Sequence, residues 1–587
     1  MKRTLSLFTS IALIMGTLFT SGCNQVNQKE DPPTIQKEEG LRVHAILNSE
    51  ETQAWHLWQS IHDENFVIEN PKEKYFFLPT SADDKTVDIY NAYSVPVTLN
   101  GVSIDSHTTQ SVSYDVNTPY EVIVNDETIT LTFMKSNAEA AVFINNDNAD
   151  GNGADLFAYL NDDNENKDKS RTATATGAIL DADGHIDNTS IKKIKGRGNT
   201  SWYKSKKSYN VTYESAVSVG GMTSGKKYSL IANYQDDSLS RNRFLFDLSD
   251  AVGIPYASDS RYTDLYINGF YCGSYQMCEK INTGKKSLVN DIQAIDFLND
   301  DGTVKSDFPF LCVIDPSVDE KEDYYVETDG GILTIKYPEL TKGDTGYEEV
   351  KSYVAEKYNT FYAAASNNNL SEYSNLDSLA KVFLINELGK NWDSGVSSLF
   401  FVYKPDESGE FKFFGSPVWD YDNSLGNAKG VSGELKFIKV SDYEQYTGWW
   451  CKYKGGSDNI VNRLSQNSEI LETSKDIWFE QFVPAINHFS GESISNNFKN
   501  EIYTSEEYYS LIKDSAEMNY KSGWLLQTSD WIADHSSLTK AHFDDKTKTM
   551  ITDSNTTTYN SDFTGMYNYC SDWMISRAAW LSEEFSK

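Results

Sequence analysis

A chain of 587 residues with 39% hydrophobic and 13% aromatic content can build about two to four packed domains, and its 36 Tyr and 12 Trp exclude a largely disordered protein. The formal net charge is −34, from 52 basic and 86 acidic residues. A field of that sign repels nucleic acid and anionic membrane surfaces, so no DNA or RNA partner is expected.

The chain opens with "MKRTLSLFTSIALIMGTLFTSGC". Lys2 and Arg3 precede an apolar run from Leu5 to Phe19, and the small residues Ser21 and Gly22 precede Cys23. That order marks a secretory signal rather than a spanning helix. It resembles a bacterial lipobox, with Thr20 where Leu is usual. The resemblance implies that residues 1–23 form a lipoprotein signal peptide, that Cys23 carries lipid and that residues 24–40 are a polar tether. The protein would then sit on the cell membrane, lipid-anchored and facing outside. An ordinary signal peptide cut nearby is the alternative. No later run reaches the ~18 apolar residues needed to span a bilayer.

Residues 41–137 alternate short β-rich runs, such as "TVDIYNAY" and "TITLTFM", with Asn, Asp and Gly turns, which reads as a small all-β sandwich. The acidic, Asn-rich stretch from Ile144 to Lys169 misses the EF-hand ligand spacing and reads as a loop, with surface Ca²⁺ binding as the alternative. Residues 138–587 mix strands and helices and become mainly helical from about Asn459. Near the end, Tyr567, Trp573, Ile575, Ala578 and Trp580 recur at helical spacing. The fold class is α+β.

Besides Cys23 there are five cysteines, with no CxxC, so buried free thiols are expected rather than a disulfide framework or a zinc site. Cys272 and Cys278 share strand parity and should face one side. HExxH and GxSxG are both absent, which removes zincin and serine-hydrolase readings.

The middle of the chain carries the chemistry. In "KGRGNTSW" two glycines flank Arg197, a turn through which backbone N–H groups can approach an anion. In "KKSYNVTY" the alternation puts Lys207 on the side of Tyr209 and Val211, and a buried lysine needs an anionic partner; a solvated lysine pair is the plain alternative. In "NYQDDSLSRNRFLFDLSDAVG" Asp236 or Asp237 can cap a helix starting near Ser238, with Arg241 one turn in, where a structural salt bridge is the plain reading. "LYINGFYCGSYQMCEKI" is a hairpin with an Asn268-Gly269 turn, and Glu279 closes its second strand. Finally, Asp393 in "LINELGKNWDSG" lies ahead of one strand-like run, and Asp420 and Asp422 in "PVWDYDNSLG" follow another, sharing a face by parity.

Taken in order, these blocks resemble the CotH family of spore-coat-type atypical protein kinases, from about Ala140 to the C-terminus. The resemblance implies a divergent protein-kinase-like fold that binds ATP with Mg²⁺ or Mn²⁺ and phosphorylates Ser or Thr of a secreted or cell-surface acceptor protein. Asp393 would align the acceptor hydroxyl, Asp420 would hold the metal with Asp422 in support, and Lys207 would meet the phosphates. Glu279 would pair with Lys207 or face the nucleotide, with Arg197 on the nucleotide side. Asp236, Arg241 and Asn242 match family positions whose roles the sequence does not give. One departure stands out: a kinase catalytic loop places a metal-binding Asn five residues after the Asp, and here that position is Ser398. The second reading is therefore a surface adhesion or scaffold protein that uses a kinase-like fold as a non-catalytic binding module.

Overall fold

Asn-Gly and Asn-Asp turns set the N-terminal architecture. Asn100-Gly101 and Asn125-Asp126 all hold positive φ, from 48° to 81°, the conformation that reverses two strands within two residues. The structure is a computed structural model. It describes residues 40–47, 55–60, 72–83, 85–162, 165–318, 324–427, 443–452, 458–492, 498, 502–523 and 537–587. The signal segment, Cys23 and residues 24–39 of the tether lie outside them.

One sheet takes β1 (Leu41–Leu47), β2 (Trp55–Trp58), β4 (Thr86–Asn91) and β7 (Thr109–Ser113), in the order β2-β1-β4-β7. The other takes β3 (Glu73–Leu78), β5 (Val97–Leu99), β6 (Val102–Ile104), β8 (Pro119–Val124) and β9 (Glu127–Lys135), in the order β3-β9-β8-β5-β6. Their inner faces bury Phe76, Ile89, Val97, Leu131 and Phe133. The same apolar cluster continues into Ala141, Phe143, Leu180 and Tyr266 of the next unit, so the sandwich shares its core with its neighbour.

That neighbour is a closed barrel of β10 (Ala140–Asn145), β11 (Thr172–Asp181), β12 (Ile186–Arg197), β13 (Ser208–Val217), β14 (Gly225–Ile231), β15 (Ser260–Ile267) and β16 (Phe270–Glu279). It closes through a parallel pairing of β10 with β15. Asn268 and Gly269 turn the β15–β16 hairpin as expected, with φ of 52° and 83°. A Cβ on Gly269 would stand 2.7 Å from the His56 carbonyl, because the hairpin tip presses on β2, where Trp58 N–H donates to the Gly269 carbonyl at 2.9 Å.

Two local readings are corrected. The Asn-rich stretch contains a short helix, α1 (Leu156–Asn161), capped by Asp155, whose carboxylate accepts from Ala158 N–H at 2.9 Å. Cys272 and Cys278 do not share a face: the register slips beside Cys272, which packs with Tyr275 and Met277, while Cys278 packs into a different cluster. An extra residue in a strand inverts the parity of everything after it.

Beyond the barrel, β17 (Phe310–Ile314), β18 (Tyr325–Thr328), β19 (Gly331–Tyr337), β20 (Leu399–Pro405) and β21 (Phe411–Gly415) form a sheet in the order β18-β19-β17-β20-β21. The helices are α2 (Arg241–Ala251), α3 (Tyr347–Ala364), which lies against β18, and α4 (Leu376–Gly389), which lies against β21, then α5 (Ile460–Leu464), α6 (Ser468–Ile477), α7 (Val483–Phe489), α8 (Ser505–Lys521), which packs on β15 and β16 of the barrel, and α9 (Phe563–Ser586). The chain is α+β with a helical C-terminal part. The helical spacing read near the end is α9, where Tyr567, Trp573, Ala578 and Trp580 are buried. α9 is tied to α4 by a fully buried ion pair, Arg577 Nη2 to Glu387 Oε1 at 2.6 Å. The five described cysteines are buried thiols outside any disulfide, as expected. Among the described residues no helix is long and apolar enough to cross a membrane.

Candidate active site

The site begins where α4 stops. α4 is apolar on nearly every face and buried along almost its whole length, and Lys390 ends it by taking a left-handed conformation, φ 44°. The chain then coils tightly. Asn391 Oδ1 accepts from Asp393 N–H at 3.1 Å, and Ser394 Oγ donates to Asn386 Oδ1 at 2.8 Å. The Asp393 carbonyl accepts from Val396 and Ser397 N–H at 3.1 and 3.0 Å. Asp393 is thus fixed at both its N–H and its carbonyl before β20 begins. Trp392 N–H donates to the Asn423 carbonyl at 3.0 Å and ties this coil to the loop after β21.

That loop carries the other two acids, and the strand-parity argument for them fails. β21 ends at Gly415, and Asp420 sits in a turn with φ 70°. The acids nevertheless gather. The Asp422 carboxyl is pushed well above its ordinary range, first by burial and then by the charges of Asp420, Asp393 and Asp236. The two strand-flanking stretches therefore bring Asp393, Asp420 and Asp422 to one locus. Among the described residues no three acidic, His or Cys side chains close into a metal cage of their own. The hard oxygen donors present suit a cation such as Mg²⁺, which is usually held by one or two carboxylates together with substrate phosphates. Ser398 Oγ donates to Asp420 Oδ2 at 3.0 Å.

α2 faces this loop. The helix starts at Arg241, three residues later than the sequence suggested. Asp236 is buried and accepts from Ser238 N–H at 3.0 Å, Ser238 Oγ at 2.6 Å and Arg241 N–H at 2.9 Å, and it pairs with the Arg241 guanidinium. Arg241 Nε donates to the Ser424 carbonyl at 3.0 Å, and Asn242 Oδ1 accepts from Tyr421 N–H at 2.7 Å.

The barrel supplies the basic side. Arg197, at the end of β12, lays its guanidinium 5.3 Å from the Trp419 ring centre, one residue before Asp420. Its glycines differ in purpose. Gly198 holds φ 99°, whereas Gly196 lies in β12, where a Cβ would stand 2.3 Å from the Trp202 ring. Lys207 is buried, with Nζ donating to the Trp202 carbonyl at 2.8 Å. Glu279 is pushed up to about 7, first by burial and then by Asp259.

Sequence reasoning placed one lysine inside; both are. Lys206 Nζ donates to the Ala232 carbonyl at 3.0 Å, to Asn519 Oδ1 of α8 at 2.8 Å and to the Ser274 carbonyl. Room for it comes from Gly273, whose Cβ would stand 2.7 Å from Lys206 Cε. A glycine inside a strand was the available signal.

Compared with known families, residues 194–581, more than half of the chain, match the family described as CotH kinase protein. The chain belongs to the CotH family. No curated protein matches it. The CotH span opens inside β12, although the barrel opens at Ala140, so β10 and β11 lie outside it. All the acids of the site, with Arg197, Lys207 and Glu279, lie within the CotH span.

Proposed function

We propose that the protein is an exported, lipid-anchored atypical kinase that transfers the γ-phosphate of ATP to Ser or Thr of a secreted or surface protein. The observation that carries this reading is the convergence of Asp393, Asp420 and Asp422 at one locus within a CotH-family chain. In this reading the fold is a divergent kinase fold, with the barrel supplying the basic residues and the α4–β21 region the acids. Asp420 and Asp422 would hold Mg²⁺ or Mn²⁺, which when bound neutralises charge on the phosphates. Asp393, fixed by Asn391, aligns the acceptor hydroxyl and takes its proton. Arg197 and Lys207 supply positive charge from the barrel side, and Glu279 borders the nucleotide.

The test compares Asp393→Asn with Asp420→Asn. Asp420→Asn should weaken Mg²⁺–ATP binding in calorimetry as well as phosphate incorporation into a Ser-rich acceptor. Asp393→Asn should leave binding in place and cut incorporation by about 100-fold or more, the scale of a lost general base. Undiminished transfer in both variants sinks the assignment. For the anchor, Cys23→Ser should move the protein out of the membrane fraction, and unchanged fractionation counts against lipidation.

The Ser398–Asp420 hydrogen bond favours a second reading, a binding module without catalysis, because Ser398 stands at the metal-binding Asn position and already engages Asp420. Failure of the unaltered chain to bind ATP with either Mg²⁺ or Mn²⁺ would select it.

A further inference from the structure

We infer that Asp236, Arg241 and Asn242 are positioning residues: together they clamp the backbone of 421–425 to the start of α2 and so aim the carboxylates of Asp420 and Asp422. The inference rests on the kinase reading of those carboxylates and assigns a task to three residues that the sequence left without one.

Four points on the segment are held from the α2 side. Tyr421 N–H is taken by Asn242 Oδ1 at 2.7 Å, and the Ser424 carbonyl by Arg241 Nε at 3.0 Å. Arg241 Nη2 reaches the Leu425 carbonyl at 3.5 Å. Asn427 Nδ2 bridges the Asp422 carbonyl at 2.7 Å to the Gln235 carbonyl, one residue before Asp236, at 2.9 Å. Asp236 neutralises the guanidinium and accepts the first N–H of α2, so the arginine fork cannot swing away. Asn242 is itself oriented by Asn233 Oδ1, at 3.4 Å from its Nδ2.

The need for such a clamp is local. Asp420 carries φ 70°, a conformation that costs a residue with a Cβ and persists only where its surroundings fix it. Phe246 of α2 adds apolar contact, stacking on Trp419 at 5.7 Å and meeting Tyr421 edge-on at 6.3 Å. An acid cluster whose members repel would otherwise open the turn.

The test uses the full chain. Asn242→Ala removes the acceptor of Tyr421 N–H, and Asn427→Ala removes a different tie, should the first variant fail to fold. Arg241→Lys keeps the charge but loses the fork. Hydrogen exchange over 419–427 should speed up in each, while the amides of α4 stay protected. Mn²⁺–ATP affinity by calorimetry should fall by about tenfold, the consequence of one lost buried hydrogen bond. In transfer assays the apparent KM for metal–ATP should rise more than kcat falls. Faster exchange with unchanged affinity overturns the positioning role, as does unchanged exchange. Failure of the unaltered chain to bind Mn²⁺–ATP is a separate result, which removes the kinase reading before any variant is compared.

Discussion

Ser398 Oγ and Asp420 Oδ2 lie 3.0 Å apart, and both residues hold a left-handed backbone, with φ of 55° and 70°. Asn adopts that conformation more readily than Ser and brings a carbonyl oxygen that a hard cation accepts. Ser398→Asn should therefore raise Mn²⁺–ATP affinity severalfold without lowering the melting temperature. Ser398→Ala, which leaves Asp420 without its hydroxyl partner, should weaken it. Calorimetry of the three proteins side by side checks the order Asn above Ser above Ala.

Gly196 carries a steric expectation. Its missing side chain makes room for the Trp202 ring, which also donates Nε1–H to the Asn166 carbonyl at 3.1 Å. Gly196→Ala should displace the ring and destabilise the barrel by about 1–3 kcal/mol, as overpacking does. Gly184, with nothing within 4 Å of the added Cβ, is a poor control because its φ is 88°; Ser190→Ala on the same strand serves better. Urea unfolding followed by tryptophan fluorescence gives the comparison.

The Glu387–Arg577 pair joins α4 to α9 with no exposure on either side chain. Glu387 also accepts from Trp450 and Cys451 N–H at 2.5 and 2.8 Å. Arg577→Met should cost about 3–5 kcal/mol, since it strands a buried carboxylate. The double change Glu387→Gln with Arg577→Met should recover part of that loss. A double variant no better than the single one would show that packing of Arg577, rather than its charge, holds α9.

Acid and base limbs of stability should separate at the α8 contact. Asp264 of β15 accepts from Ser515 Oγ of α8 at 2.8 Å, and burial pushes its carboxyl up to about 6 from 3.8 and Lys206 down to about 7 from 10.5. For Asp264 the folded state binds more protons than the unfolded one between these values, so its contribution is fullest below pH 4 and falls as pH rises through 6. For Lys206 the unfolded state binds more protons, so its contribution grows as pH rises from 7 toward 10.5. Melting temperatures across pH 4–10 should show Asp264→Asn flattening the first limb and Lys206→Met the second.

Local chemistry was legible and non-local geometry was not. The Asn268-Gly269 hairpin, the buried thiols and α9 follow from neighbouring residues, and all three stand. The acids were found by their place beside strand-like runs, but their parity was misread because β21 already stops at Gly415 and Asp420 holds a positive φ. Lys206 was missed because the space it fills is made by Gly273, two strands away in the barrel order. The start of α2 was placed early because Asp236 bonds to the N–H of Arg241 from outside the helix rather than from its cap position.

The core that runs without a break from Phe133 of the sandwich to Phe143 and Tyr266 of the barrel gives the molecule the character of a ruler. That shared core sets the bearing of the sandwich on the barrel. Packing lost on one side of that seam, at Phe133 or at Phe143 and Tyr266, is therefore felt on the other.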